Sequence, residues 1–422
     1  MASHGLQQQL VIMPVGWGFS ALHTIDYGDS VAAVITDGGS LPTCYTHVVN
    51  MQRHLVYELD HTLKHSDLII WIISHFDYDH ISLVTQRLNA INKSANICIL
   101  PFTYSEPICR EALALYLALI AYELGQPSLP EILQSVLSRC YTNVFAKKGF
   151  KLRIDSDVYY EFLWPSPTHI SSARTCNRVQ EELKRRISER CRRDKDGCRN
   201  LEELLTNIEK KLNQIGDAEQ VNELDIKAIL SQGDRARKRS NEGSTSLRSV
   251  EILPPEDAVS REHHFSRILE LYNIRETKKN LENVYSLAYI VRSSHPHKGH
   301  LEVYTEGKGP LRTRHNSSLS IGISDKVLND VLIYLGDLDD SSIGQALEGY
   351  IPIQVLILVP AHHGNSWHRA MLCVRAMLTY LNRCHDHVPV SIKRRLRLRY
   401  LTRGISDFAL IGDHMHEVLY TS

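Results

Sequence analysis

Four residues with metal-binding side chains occur within six positions: His75, Asp77, Asp79 and His80. They follow the apolar run from Leu68 to Ile73, whose length and residue types predict a short buried β-strand. Imidazole nitrogens and carboxylate oxygens at the end of a rigid strand are ligands that a divalent ion such as zinc prefers. The H-x-D-x-D-H spacing therefore predicts a metal site rather than a polar loop that is rich in these residues by chance.

Two later segments place side chains of the same types after apolar runs. An apolar strand from Val331 to Leu335 is followed by Gly336-Asp337, and a second from Val355 to Val359 is followed by His362 and His363. A carboxylate after a strand is common in loops, and a buried histidine pair bonded to the backbone is the alternative at the second segment. Both segments become candidates for the same site only through the family resemblance that their motifs carry.

The H-x-D-x-D-H pattern resembles the first metal motif of the metallo-β-lactamase fold, in the variant of the competence-type (ComEC-like) DNA-uptake proteins and their free-standing relatives. Other motifs follow in the family's order: a G-x-G-x-S turn ending at Ser20, a strand ending in Asp37-Gly38-Gly39, a G-D motif at Asp337, and an H-H-G turn. An N-x-x-S-L strand opens the second half of such domains. Asn283 and Asn316 both begin candidates for it, and the sequence leaves that choice open.

The resemblance implies two divalent ions, with zinc as the first expectation and manganese as the alternative because the ligands are rich in oxygen. His75 and Asp77 would hold one ion, Asp79 and His80 the other, with Asp337 bridging the two. One histidine of the pair would complete a ligand shell, with His362 as the first expectation, and the other, His363, would donate to the leaving group or orient the substrate; the sequence leaves open which of the two is the ligand. Asp79, Asp337 and His363 are accordingly the expected catalytic residues, around a metal-activated hydroxide as the nucleophile.

Two departures from better-known members of this fold bear on the site. A clear equivalent of the third histidine motif is missing between the first motif and Asp337, and Asp77 stands where a histidine is usual. Competence-type members share both features. Occupancy by a single ion, or low activity, therefore stays open.

The resemblance also implies an α/β fold, specifically the αββα metallo-β-lactamase sandwich with a long helical insertion. We expect residues 1–168 to form the first half of that domain and residues 282–422 the second. Residues 169–281 would be the insertion, because charged, helix-favouring sequence from Val179 to Gln232 predicts a helical hairpin or a coiled-coil arm.

Basic residues in two segments suggest contacts with a phosphate backbone: Lys184, Arg185 and Arg186 in the insertion, and Arg394 and Arg395 near the C-terminus. The alternative for the insertion is a solvated helix face, since glutamates alternate with the basic residues. An arm for self-association or for docking a protein partner fits equally well.

Composition and sequence patterns restrict the cellular compartment that we expect for this protein. The chain has 422 residues, a formal net charge of zero and nine scattered cysteines, which we interpret as buried free thiols in a reducing compartment. The N-terminus shows no signal-peptide pattern, and the longest apolar helical run, Ala112 to Tyr122, is too short to span a bilayer. We expect a cytoplasmic protein with no membrane partner.

The resemblance and the basic segments together predict a metal-dependent hydrolase of phosphodiester bonds, with DNA or RNA as the first substrate. Membership of a bacterial defence system is a further expectation, by analogy alone. A small, nucleotide-type phosphodiester is the alternative substrate. The alternative from a different class is a non-catalytic scaffold, in which metal stabilises the fold and the helical insertion recruits a partner. The fold by itself does not choose among these functions.

Overall fold

The structure of the chain is a computed structural model. It describes residues 7–12, 19–39, 53–123, 129–154, 156, 158–166, 172–215, 221–237, 286–293, 300–304, 318–322, 330–350, 353–361, 368–381 and 406–411. No helix within these ranges is long and apolar enough to cross a membrane.

In chain order the strands are β1 (Gln7–Ile12), β2 (Ser20–Asp26), β3 (Val31–Asp37), β4 (Leu68–Ile72), β5 (Ala95–Pro101), β6 (Cys140–Ala146), β7 (Lys151–Arg153), β8 (Val158–Trp164), β9 (Glu223–Asp225), β10 (Ala288–Ser293), β11 (His300–Tyr304), β12 (Ser318–Gly322), β13 (Asp330–Tyr334), β14 (Ile353–Val359), β15 (Val374–Leu381) and β16 (Ser406–Ile411). The α-helices are α1 (Arg53–His65), α2 (Tyr78–Ala90), α3 (Pro107–Glu123), α4 (Leu129–Ser138), α5 (Ser172–Arg193), α6 (Lys195–Leu212), α7 (Ile226–Arg237) and α8 (Asp340–Ala346). Short 3-10 helices lie at Phe102–Ser105, Asn213–Ile215 and Arg369–Cys373.

The strands of the described residues form two sheets of eight strands each. The first sheet has the order β12-β11-β1-β2-β3-β4-β5-β6, and the second has the order β16-β15-β14-β13-β10-β8-β7-β9. Strands β3 to β6 are parallel, as are β13 to β16. In each parallel set the carboxyl ends of the strands therefore lie at one edge of the sheet, where the residues that follow them come together.

Side chains from β4 show how the layers are arranged. Leu68, Ile70 and Ile72 pack in a core cluster that includes residues of both sheets, whereas Ile69 and Trp71 pack with α1 to α6. This strand is buried on both faces, which explains why its sequence is apolar throughout. On the other side of the molecule α8 packs on the outer face of the second sheet. The mixed α/β class is confirmed, while the family-specific sandwich stays a prediction.

The strands that carry the predicted motifs lie where the sequence placed them. The observed bounds of β4, β13 and β14 differ from the predicted ones by at most two residues at either end, and β3 ends at Asp37 as expected. Short apolar runs rich in β-branched residues were sufficient to identify them.

Helices α5 and α6 form the predicted helical hairpin, but this hairpin does not project as an arm. Its apolar residues Val179, Leu183, Leu201 and Ile208 are buried in the same core cluster as α3. The chain then returns to the second sheet through β9, which pairs in parallel with β7. The described part of the predicted insertion is therefore packed into the molecule.

The prediction of free thiols is wrong for six cysteines. Disulfides join Cys98 to Cys140, Cys109 to Cys176, and Cys191 to Cys198. The first two pairs are 42 and 67 residues apart in the sequence, so their proximity depends on the fold and not on any local spacing. Cys373 is a free thiol, and Cys44 and Cys384 lie outside the described residues.

Candidate metal centre

The candidate centre lies where strand ends of the two sheets meet. Ser74 and His75 follow β4 of the first sheet, and Asp337 follows β13 of the second. The backbone nitrogen of Leu287, just before β10, donates to the carbonyl oxygen of Ser74 at 3.2 Å. This bond joins the two sheets beside the predicted ligands.

His75, His80 and Asp337 come together as a buried group. The Nε2 atoms of His75 and His80 each lie 3.8 Å from Oδ2 of Asp337. One ligand atom from each of the three residues lies within 4.8 Å of the other two. Zinc with tetrahedral nitrogen and oxygen ligands separates them by about 3.4 Å, so a small contraction of this group would seat an ion. The described ligands form one group, and their division between two ions stays a prediction.

Asp77 supplies a further carboxylate next to this group. It occupies the N-cap position of α2, yet its side chain makes no capping hydrogen bond. Aspartate at this position ordinarily accepts from a backbone N–H of the first helical turn. Here Oδ2 of Asp77 lies 3.6 Å from Nε2 of His75 instead. Its carboxylate is therefore placed for a ligand role.

Asp37, the last residue of β3, is the residue on which the histidine orientation depends. Its fully buried carboxylate accepts hydrogen bonds from Nδ1 of His80 at 3.0 Å, from Oγ of Ser74 at 2.8 Å, and from the backbone nitrogen of Ser74 at 2.6 Å. Its φ of 50° lies in the left-handed region, which a residue other than glycine adopts at a cost of about 1–2 kcal/mol. The surrounding bonds hold it there.

These bonds fix which nitrogen of each imidazole ring faces Asp337. Ser74 donates its hydroxyl hydrogen to Asp37, so its oxygen accepts from Nδ1 of His75 at 2.9 Å. With Nδ1–H committed in His75 and in His80, Nε2 is the nitrogen of each ring on the side of Asp337, and in the neutral ring it carries the lone pair that a metal ion binds. Nε2 of His75 is buried and has no hydrogen-bond partner among the described residues. Histidine nitrogens held in this way by a carboxylate are suited to metal ligation, and the donor set fits a divalent ion.

Gly336 and Ser286 place Asp337. Gly336 has a φ of +53°, and a Cβ there would lie 2.4 Å from the carbonyl oxygen of Leu287, so only glycine allows this close turn. The backbone nitrogen of Asp337 then donates to Oγ of Ser286 at 2.8 Å. Ser286 belongs to the N-x-x-S candidate that begins at Asn283, whereas the segment after Asn316 enters β12 at the far edge of the first sheet. Both asparagines lie outside the described residues.

The electrostatics of the group favour a cation. Burial, the largest influence, lowers the pKa of His75, and the neighbouring His80 lowers it further. The carboxylates of Asp77 and Asp337 outweigh both, so the pKa of His75 lies above its ordinary value. The acidic groups thus produce a field in which a positive charge is stabilised.

Several predicted site residues lie outside the described part of the chain. These are His362 and His363, which follow β14, the side chain of Asp79 in α2, and Arg394 and Arg395. Their roles stay predictions. Conversely, sequence reasoning missed Asp37, Ser74 and Tyr334 as site residues. The sequence contained a signal for Asp37, because this residue ends a β-branched run, and that run forms the strand that pairs with the strand before His75. By itself, however, the D-G-G sequence indicates only a turn.

The basic cluster of the hairpin is largely paired with acids. Arg185 forms ion pairs with Glu182 and Glu189, and Arg186 pairs with Glu182 at 2.7 Å. Lys184 is exposed. The interleaved glutamates thus offset much of the positive charge, as expected for a solvated helix face.

Comparison with protein-family models, with curated proteins and with solved structures finds no match to this chain.

Proposed function

We propose that this protein is a metal-dependent hydrolase of the metallo-β-lactamase type that cleaves phosphodiester bonds, with DNA or RNA as the first substrate. The observation that supports it most strongly is the buried group of His75, His80 and Asp337, in which Asp37 and Ser74 fix the histidine nitrogens toward the carboxylate. The resemblance of the H-x-D-x-D-H motif to competence-type proteins supplies the reaction class.

In this proposal His75, His80 and Asp337 hold a divalent ion, zinc in the first instance and manganese as the alternative. When bound, the ion supplies positive charge at the phosphoryl oxygens and lowers the pKa of water. Asp37 and Ser74 keep the two rings in the ligating tautomer. With two ions bound, His75 and Asp77 would hold one and Asp79 and His80 the other, with Asp337 shared between them. One histidine of the pair, His362 in the first instance, would complete a shell, and His363 would protonate the leaving group or orient the substrate.

A small phosphodiester is the second candidate substrate, and the paired charges of the hairpin favour it. Arg185 and Arg186 form ion pairs with glutamates, and the net charge of the chain is zero. A long nucleic acid gains affinity chiefly from phosphates neutralised by unpaired basic groups. A diester of the size of a mononucleotide can bind at the metal centre without contacts to a further basic surface.

The cellular location stays a prediction. Sequence features suggested the cytoplasm, but three disulfides are more typical of proteins that fold in an oxidising compartment. A partner docked on the helical hairpin, with or without catalysis, likewise belongs to the proposal.

Cleavage assays with labelled single- and double-stranded DNA, RNA and a chromogenic phosphodiester test the proposal. Wild-type protein loaded with zinc or manganese should cleave at least one of them. Asp337→Asn, which keeps the size of the side chain but removes its charge, should lose about a hundredfold or more in rate because it weakens metal binding and charge stabilisation. Asp340→Asn, an exposed aspartate in α8, is the matched control and should retain activity.

The nuclease is supported if the wild type and Asp340→Asn cleave nucleic acid and Asp337→Asn does not. Cleavage confined to the chromogenic diester supports the small-substrate enzyme. A metal-loaded protein that cleaves none of these substrates contradicts the hydrolase and supports the non-catalytic scaffold.

A further inference from the structure

The candidate ligands come from two separate parts of the fold. His75 and His80 follow β4 in the first sheet, whereas Asp337 follows β13 in the second. An ion held by all three must therefore be held across the interface of the sheets. The position of one sheet relative to the other at this edge sets the distance from the imidazole nitrogens to the carboxylate.

Tyr334 bonds the two sheets at this edge. It is the last residue of β13, and its hydroxyl donates to Oδ2 of Asp37 in the first sheet at 2.5 Å. The same Oδ2 atom accepts from His80 and from Ser74. The Tyr334 ring is buried and stacks on Phe19, with ring centroids 4.5 Å apart. The hydroxyl is thereby held in one direction.

A buried carboxylate is stable as an anion only where hydrogen bonds replace its lost hydration. Asp37 receives those bonds from its own sheet through Ser74 and His80, and from the opposite sheet through Tyr334. Without the Tyr334 hydroxyl, Asp37 would lose its bond to the strand that carries Asp337. The hydrogen bonds by which Asp37 and Ser74 hold the two histidines would weaken, and Nε2 of each ring would be less well aligned with Asp337.

We propose that Tyr334 and Asp37 are positioning residues that form a cross-sheet clamp, and that retention of the metal depends on the Tyr334 hydroxyl. The inference rests on the metal centre of the proposed function. It adds that the centre is assembled by a hydrogen bond between the sheets, through two buried residues that act on a histidine ligand. Such partners of metal ligands typically change metal affinity by about 10–100-fold.

Tyr289 provides a matched control within the same core. It is also buried, it lies on the neighbouring strand β10, and its ring centroid is 5.4 Å from that of Tyr334. Its hydroxyl bonds across the sheets to Oγ1 of Thr36 at 2.6 Å, one residue before Asp37. Removing the Tyr289 hydroxyl deletes one buried cross-sheet bond. Removing the Tyr334 hydroxyl deletes the bond to Asp37 and a longer one of 3.5 Å to Oγ of Ser74, and only these two acceptors hold a histidine.

The test compares Tyr334→Phe, Tyr289→Phe and wild type by zinc competition against a chromogenic chelator, with thermal unfolding of the metal-free proteins in parallel. We expect Tyr334→Phe to weaken zinc binding at least tenfold and Tyr289→Phe to change it less than about twofold, with similar losses of Tm for both. Asp37→Asn changes the acceptor of the same hydrogen bond. It should weaken zinc binding by at least as much as Tyr334→Phe.

Equal zinc affinities for Tyr334→Phe and Tyr289→Phe would overturn the clamp while leaving the metal centre in place. If Tyr334→Phe does not fold, unchanged zinc affinity in Asp37→Asn would overturn it in the same way. A wild type that binds no zinc, manganese or cobalt would overturn both the clamp and the centre of the proposed function.

Discussion

Within the part of the chain that the structure describes, two regions bring metal-ligating side chains together, and they differ in how those side chains are held. His75, His80 and Asp337 form one group, and Cys191, Cys198 and Glu202 form the other; in each, ligand atoms lie within 4.8 Å of one another. The first group is buried and is assembled from both sheets. The second lies where α5 meets α6, half-buried or exposed, and its two sulfur atoms form a disulfide.

The difference shows that proximity of ligand atoms does not define a metal site. In the first group the second nitrogen of each ring is bonded to a fixed acceptor, which leaves Nε2 of both histidines directed at the carboxylate. In the second group the sulfur atoms are bonded to each other, and thiolates are the form of cysteine that binds metal. The first group differs from the second because the ring nitrogens that face away from the ion position, Nδ1 of both histidines, are bonded to fixed acceptors.

The largest effect is expected from His80→Ala. This change removes a ligand and one donor to the buried Asp37, so metal affinity should fall by about a hundredfold or more. The metal-free protein should lose about 1–3 kcal/mol of unfolding free energy, because a buried carboxylate loses a hydrogen bond. Glu202→Ala in the second group is the control. Equal metal stoichiometry in the two variants, measured by mass spectrometry of the dialysed proteins, would refute the assignment of the centre to the first group.

A stability effect without a metal effect is expected in the hairpin. Leu201 is buried among residues of α3 to α6, so Leu201→Ala should cost about 2–5 kcal/mol of unfolding free energy. Zinc affinity should not change. Denaturant unfolding and zinc competition on the same preparation measure both quantities, and a projecting arm would show little loss of stability.

The disulfide between Cys109 and Cys176 joins α3 to α5, so it links the helical hairpin covalently to α3. Replacing both cysteines with alanine should lower the unfolding free energy by about 2–4 kcal/mol. Non-reducing peptide mapping of the wild type should recover a linked peptide containing the two residues. Free thiols at both positions in protein purified without reductant would instead support the reducing compartment predicted from the sequence.

The smallest effect is expected at Arg185. Because its guanidinium pairs with Glu182 and Glu189 on an exposed helix face, where solvent screens ion pairs, Arg185→Ala should leave the unfolding free energy nearly unchanged. It should also leave the salt dependence of nucleic-acid binding unchanged. A decrease of about one in the slope of log K against log salt would instead identify Arg185 as a phosphate contact.

Local signals were enough to predict the strands and to indicate candidate ligands. The continuous apolar run before His75 predicted a buried strand, and the abrupt change to imidazole and carboxylate side chains indicated His75 and His80, which the structure brings together with Asp337. Asp337 itself was expected from the resemblance of the G-D motif, since a carboxylate after a strand is common in loops. The strand signals lie within a few residues, so one sequence contains them.

Long-range contacts could not be predicted in the same way. Tyr334 and Asp37 are separated by 297 positions, and nothing near either residue indicates the other. Cys109 and Cys176 are 67 residues apart and meet only after α3 and α5 pack together. The hairpin was misjudged as a possible arm because its charged face dominates the sequence, although its spaced leucines are buried.

X-ray absorption at the zinc edge, on protein loaded with one equivalent of zinc, measures directly which atoms bind the ion. We expect a shell of nitrogen and oxygen atoms at about 2.0–2.1 Å with imidazole scattering, and weaker imidazole scattering in His75→Ala. A shell containing sulfur at about 2.3 Å would place the ion on cysteines and contradict the account.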